Sequence, residues 1–109
     1  MAETARSYPP LSRFLLLPGV QSRTVPTPRL EQHIYERGTP DQPAVVMIHG
    51  NAASARFFEE MLAQLTGWHI IAPDLRGYGA SEAKEVDATR GLRDFSDDIH
   101  ALIETLGID

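Results

Sequence analysis

The chain has 109 residues, 42% of them hydrophobic, and fifteen acidic side chains against ten basic give it a formal net charge of −5. One domain of this size buries about 65% of its unfolded surface, and an acidic balance without a Lys/Arg cluster argues against nucleic acid as the main partner. Cysteine is absent, which removes disulfides and thiolate metal sites and suits a reducing, cytoplasmic location.

Residues 1–21 read as an extension. Pro9, Pro10 and Pro18 break any periodicity there, and the apolar run Phe14 to Leu17 is too short for a signal-peptide core or a membrane span. Residues 22–109 read as one partial α/β domain. Ser22 to Arg37 suggests two strands, the first confined to an edge by Pro26 and Pro28, the second carried by Leu30, Ile34 and Tyr35. A turn follows over Gly38 to Pro43. Ala44 to Ile48 is an unbroken apolar run, the pattern of a strand buried on both faces in a parallel sheet.

Beyond it, Phe57, Phe58, Met61, Leu62 and Leu65 recur at helical spacing, with Ser54 as N-cap and Gly67 as terminator. Trp68 to Ala72 is the next strand. Strand, helix and strand within about 30 residues fit a right-handed crossover with the two strands parallel. Glu82 to Arg90 reads as a solvated loop. Leu92, Phe95, Ile99, Leu102, Ile103 and Leu106 then form the core stripe of a second helix, with Asp94, Asp97 and Asp98 near its positive end and Gly107 at its C-cap.

Polar, glycine-bearing turns begin abruptly after both inner strands, where open parallel sheets collect their ligands. The first reads His49-Gly50-Asn51, within Ala44 to Ser54, and the second reads Asp74-Leu75-Arg76-Gly77-Tyr78-Gly79-Ala80-Ser81. In this order and spacing they resemble the amino-terminal half of an α/β-hydrolase of the serine-hydrolase type. The resemblance implies a mostly parallel sheet entered through an antiparallel strand pair, with flanking helices, in an ester-type hydrolase acting on a small-molecule substrate without cofactor or metal. It implies that Gly50, Asn51 and Ala52 form the oxyanion-hole loop, with the principal N–H donor at Asn51. It also implies that His49 buttresses that loop, and that Asp74, Arg76, Gly77 and Gly79 fix the neighbouring one. With no H-x-x-x-H spacing, the residues themselves give no metal motif.

The family's nucleophile sits on a G-x-S-x-G elbow after a fifth strand. Gly79-Ala80-Ser81-Glu82-Ala83 lacks the final glycine and lies beyond the strand end, so Ser81 is a poor nucleophile. The triad is expected downstream of Asp109, and the 109 residues alone are expected to be inactive. Three other readings compete. The asparagine of HGN suits a halide-binding dehalogenase, but Ala52 stands where proline usually follows, and epoxide hydrolases fit less well still. Gly77-Tyr78-Gly79 follows a strand as dinucleotide-binding loops do, but Glu82 occupies the position of the third glycine. The third is a non-catalytic split chain acting as one half of an assembly. Without a strand beside it, Ala44 to Ile48 would be an exposed edge inviting self-association; no membrane partner is expected.

Overall fold

The computed structural model describes residues 16–50 and 53–108. Strand β1 (Gln21–Pro26) runs antiparallel to β2 (Glu31–Arg37). Their turn is closed by Thr27, whose N–H donates to the Leu30 carbonyl at 3.0 Å and whose Oγ1 accepts the N–H groups of Arg29 and Leu30, both at 3.1 Å. Pro28 therefore falls in the turn, and Pro26 closes a strand that has one neighbour among the described residues, where a missing N–H costs no ladder bond.

Strand β3 (Ala44–Val46) is followed by a 3-10 turn (Ala55–Phe58), helix α1 (Glu59–Gln64) and strand β4 (His69–Pro73). A second 3-10 turn (Ala88–Arg90) leads into helix α2 (Arg93–Leu106). The sheet order is β1-β2-β4-β3, with β4 antiparallel to β2 and parallel to β3, as the crossover pattern predicts.

Local chemistry accounts for the departures from the predicted elements. Ser54 caps as expected, accepting the Arg56 N–H at 3.3 Å, but the following turn closes through a Phe57 N–H to Ser54 carbonyl bond, so the helix opens in 3-10 geometry. In the stretch read as solvated loop, the Asp87 carboxylate accepts the Thr89 N–H at 3.1 Å and nucleates the second 3-10 turn. Gly107, at φ 71°, ends α2 in the left-handed conformation that glycine adopts most readily.

Period-two alternation splits the core across the sheet. Tyr35, Ile70 and Ala72 face Leu62 of α1 together with Val20 and Ala55, whereas Ile34 and Ile71 pack with Val25 and Leu102 of α2 on the other face. β4 is buried along its whole length. β3 is not, contrary to the reading of a strand covered on both faces: Ala44 is exposed, Val45 and Val46 are half-buried, and Ile48 is 47% exposed. Among the described residues nothing pairs with its far side.

Helix α2 also departs from its predicted stripe. The residues it buries are Asp94, Asp98 and Leu102, one turn apart, while Leu92 is 77% exposed and Phe95 and Ile99 are half-buried. Two carboxylates thus face the sheet. They can do so because Arg76 grips Asp98 through two bonds of 2.8 and 2.7 Å and Arg29 adds a third at 2.7 Å. Asp94 accepts from Arg29, from Arg90 and from the Asp87 N–H. Buried charge is tolerated when paired and hydrogen-bonded in this way.

Candidate functional site

Because β3 and β4 are parallel, their carboxyl ends open on the same edge of the sheet, and the chain segments that leave them lie side by side. His49 is the first link between them. The Leu75 N–H donates to His49 Nε2 at 2.9 Å, which assigns the ring proton to Nδ1, and Nδ1 donates to the Gly50 carbonyl at 2.8 Å. The ring is buried and stands edge-on to Tyr78 at 5.2 Å. His49 is thereby fully engaged in holding the segment after β3 against the turn after β4.

Asp74 is the second link. Its carboxylate, 1% exposed, accepts the Ala55 N–H on Oδ1 at 2.7 Å, and the Ala80 N–H at 3.1 Å and His33 Nδ1–H at 2.9 Å on Oδ2. Burial opposes its ionisation, but these three donors outweigh burial and hold the carboxyl below the ordinary aspartate value. A Cβ at Gly79, whose φ is +52°, would overlap this carboxylate, so glycine is required there. Gly77, at φ +79°, has open space around it and needs glycine for conformation alone. Arg76 reaches away from the site, to Asp98 and to the Glu85 carbonyl at 2.7 Å.

Residues 50–54 are therefore held at both ends, by the His49 ring and by the Ala55 N–H on Asp74. Asn51 and Ala52 lie outside the described residues. Gly50 is exposed, its φ is outside the left-handed region, and no described atom lies within 4 Å of where its Cβ would be. Among the described residues, neither backbone conformation nor packing demands glycine at this position. Beside it opens a cavity of about 740 Å³, walled by Ile48, Leu75 and Tyr78 and, from α2, by Phe95 and Ile99. Among the described residues no cluster of His, Cys, Asp and Glu could hold a metal ion, and no helix is long and apolar enough to cross a membrane.

Ser81 is buried, donates its hydroxyl proton to the Asp74 carbonyl at 2.6 Å and accepts the His33 N–H at 2.9 Å. His33, Asp74 and Ser81 thus meet, but the serine is bonded to main chain and no histidine ring addresses it. The sequence reading missed His33, because the β2–β4 register that brings it to Asp74 is a tertiary fact.

Residues 43–109 match the model of the alpha/beta hydrolase fold family. The chain is 30% identical over 87 residues to Epoxide hydrolase A of Mycobacterium tuberculosis, covering 78% of this chain and 27% of that protein. It is 34% identical over 58 residues to a haloalkane dehalogenase of Mycobacterium marinum, covering 51% of this chain and 20% of the relative. Among solved structures, an epoxide hydrolase from Vigna radiata superimposes with a TM-score of 0.72 at 33% identity, over 83% of this chain and 28% of that one. A haloalkane dehalogenase from Bradyrhizobium elkani gives 0.70 at 30% identity, over 81% and 30%. The chain thus spans less than a third of the length of each of these proteins. With the family match covering more than half of its residues, and with two polar turns converging at the carboxyl ends of parallel strands, this chain belongs to the α/β-hydrolase fold family.

Proposed function

We propose that residues 49–55 form the oxyanion side of a hydrolase active site, and that the protein cleaves an ester by acyl transfer. As a nucleophile attacks the ester carbonyl, negative charge gathers on its oxygen, and main-chain N–H groups fixed in advance around that oxygen stabilise it by about 2.7–4 kcal/mol each. A loop fixed at both ends has the rigidity this requires. The observation that carries the reading is Gly50: among the described residues neither its backbone conformation nor its packing demands glycine, which leaves room for something approaching from outside the fold. The nucleophile is assigned to no described residue, since Ser81 has its hydroxyl engaged with main chain.

A second reading is favoured by the names of the relatives, epoxide hydrolase and haloalkane dehalogenase. Opening an epoxide or displacing a halide also develops negative charge on a leaving or ring atom, which the same loop could receive. One comparison separates the readings and tests the role of the loop. The full-length protein, as expressed from its gene, is assayed on p-nitrophenyl butyrate, styrene oxide and 1-bromobutane, with Gly50→Ala alongside. Turnover of the ester alone supports acyl transfer. The loop reading expects Gly50→Ala to keep the wild-type urea midpoint while kcat/KM on the productive probe falls about 100-fold. Unchanged turnover in Gly50→Ala would overturn it.

A further inference from the structure

We propose that His33, on β2, is a positioning residue for the loop after β3, acting through the Asp74 carboxylate. Its catalytic sense rests on the reading of residues 49–55 given above, whereas the clamp itself stands on geometry.

The far end of that loop is held by packing of Ala55 in the core and by the bond from its N–H to Asp74 Oδ1, which sets the direction of the main chain there. Where Oδ1 sits depends on the rotation of the carboxylate, and the rotation is set by what holds Oδ2. Two donors do so. One is the Ala80 N–H, from an exposed residue in a turn whose conformation depends on Gly77 and Gly79. The other is the imidazole of His33, at 2.9 Å, from a buried position in the middle of a paired strand.

His33 is also fixed to Asp74 through main chain. Its carbonyl accepts the Asp74 N–H at 2.8 Å, and its N–H donates to Ser81 Oγ, which in turn donates to the Asp74 carbonyl. The backbones of the two residues therefore cannot drift apart, and the ring projects from a fixed base. Its outer flank is braced by Tyr35, edge-on at 4.8 Å. A rigid donor on Oδ2 locks the carboxylate plane, the plane locks Oδ1, and Oδ1 locks the loop. Without the imidazole the carboxylate keeps on that side only its bond to the Ala80 N–H, and the loop loosens at its Ala55 end.

The test uses the full-length protein with ¹⁵N-alanine labelling, so that amide exchange at Ala55 is read separately from activity. In His33→Leu, Ala55 exchange should accelerate about 10-fold and kcat on the productive probe should fall about 10-fold, with KM within about twofold, as for a loss of orientation rather than of binding. His33→Asn, whose side-chain amide can supply a donor on the same side, should restore both. A role in packing alone would leave Asn as impaired as Leu. Should His33→Leu fail to fold, His33→Gln, whose longer side chain misplaces the donor, replaces it with the same expectation. Unchanged Ala55 exchange in these variants overturns the proposal. Faster exchange with unchanged kcat sustains the clamp and overturns instead the oxyanion reading on which its catalytic sense depends.

Discussion

Asp74→Asn removes one charge while leaving the side-chain shape nearly intact, and the structure sets the expected cost. The carboxylate serves three donors with two oxygens; the amide has a single oxygen. If that oxygen faces His33 and Ala80, the amide nitrogen confronts the Ala55 N–H. If it faces Ala55, the nitrogen confronts Ala80, and only His33 can adapt, by changing tautomer. Either way one main-chain donor meets another donor. A buried donor left without an acceptor costs about 1–3 kcal/mol, and the remaining bonds lose their charge assistance, so we expect a loss of about 2–4 kcal/mol. Because Ala55 is fully buried, solvent cannot compensate the first arrangement.

The pH dependence adds a second constraint. The folded carboxyl lies below its unfolded value of about 3.9. Its stabilisation is therefore fully present above that value and is lost as pH falls through the folded one. Urea unfolding of wild type and Asp74→Asn at pH 7 and in steps down to pH 3 should show a gap that is widest at neutrality and narrows once the pH falls below the unfolded value. A variant within about 0.5 kcal/mol of wild type at pH 7, below any cost expected for an orphaned donor, would refute this account of the carboxylate.

The remaining expectations follow from neighbouring features. Gly79→Ala should cost more than the about 1–2 kcal/mol of left-handed backbone strain, because its Cβ meets the Asp74 carboxylate, whereas Gly77→Ala should cost only that strain; denaturant midpoints of the pair check the difference. Arg76→Met should destabilise by about 3–5 kcal/mol, because it leaves the buried Asp98 with Arg29 alone, and Arg76→Met combined with Asp98→Leu should recover part of the loss in a double-mutant cycle. The 109-residue polypeptide expressed by itself should self-associate through the uncovered side of β3, and Val46→Lys should shift its sedimentation toward monomer; a monomeric wild-type polypeptide would count against the edge as the cause. The same polypeptide should show no turnover of p-nitrophenyl butyrate above an unrelated protein.

Elements whose causes are local were legible in the sequence. The apolar runs of β3 and β4, the Ser54 cap, and Gly107 after the helical repeat each depend on neighbours a few residues away, and the parallel pairing of β3 with β4 follows from the helix between them. The connections that assemble the site were not, because they join residues far apart in the chain. His33 reaches Asp74 across 41 positions, and only strand register brings the two together. Asp94 and Asp98 look like charges favouring a helix N-terminus, and nothing near them in sequence announces that Arg29 and Arg76 will arrive to bury them. Ile48 reads as core because its run is apolar, yet it lies beyond the end of β3 and lines the cavity beside Gly50.

The place of β4 bears on how the chain reaches this shape. Both of its sheet neighbours, β2 and β3, precede it in the sequence, so it is inserted between two strands already synthesised rather than added at a growing edge. Its pairings close large loops, Ile34 with Pro73 and Val45 with Ile70, and loop closure is unfavourable until the buried contacts of Ile70 and Ile71 repay it. Until that strand arrives, β2 and β3 each present an open side. Formation of the sheet is then expected to be a late, cooperative event, and both site loops, one of which hangs directly from the end of β4, acquire their geometry together in that single step.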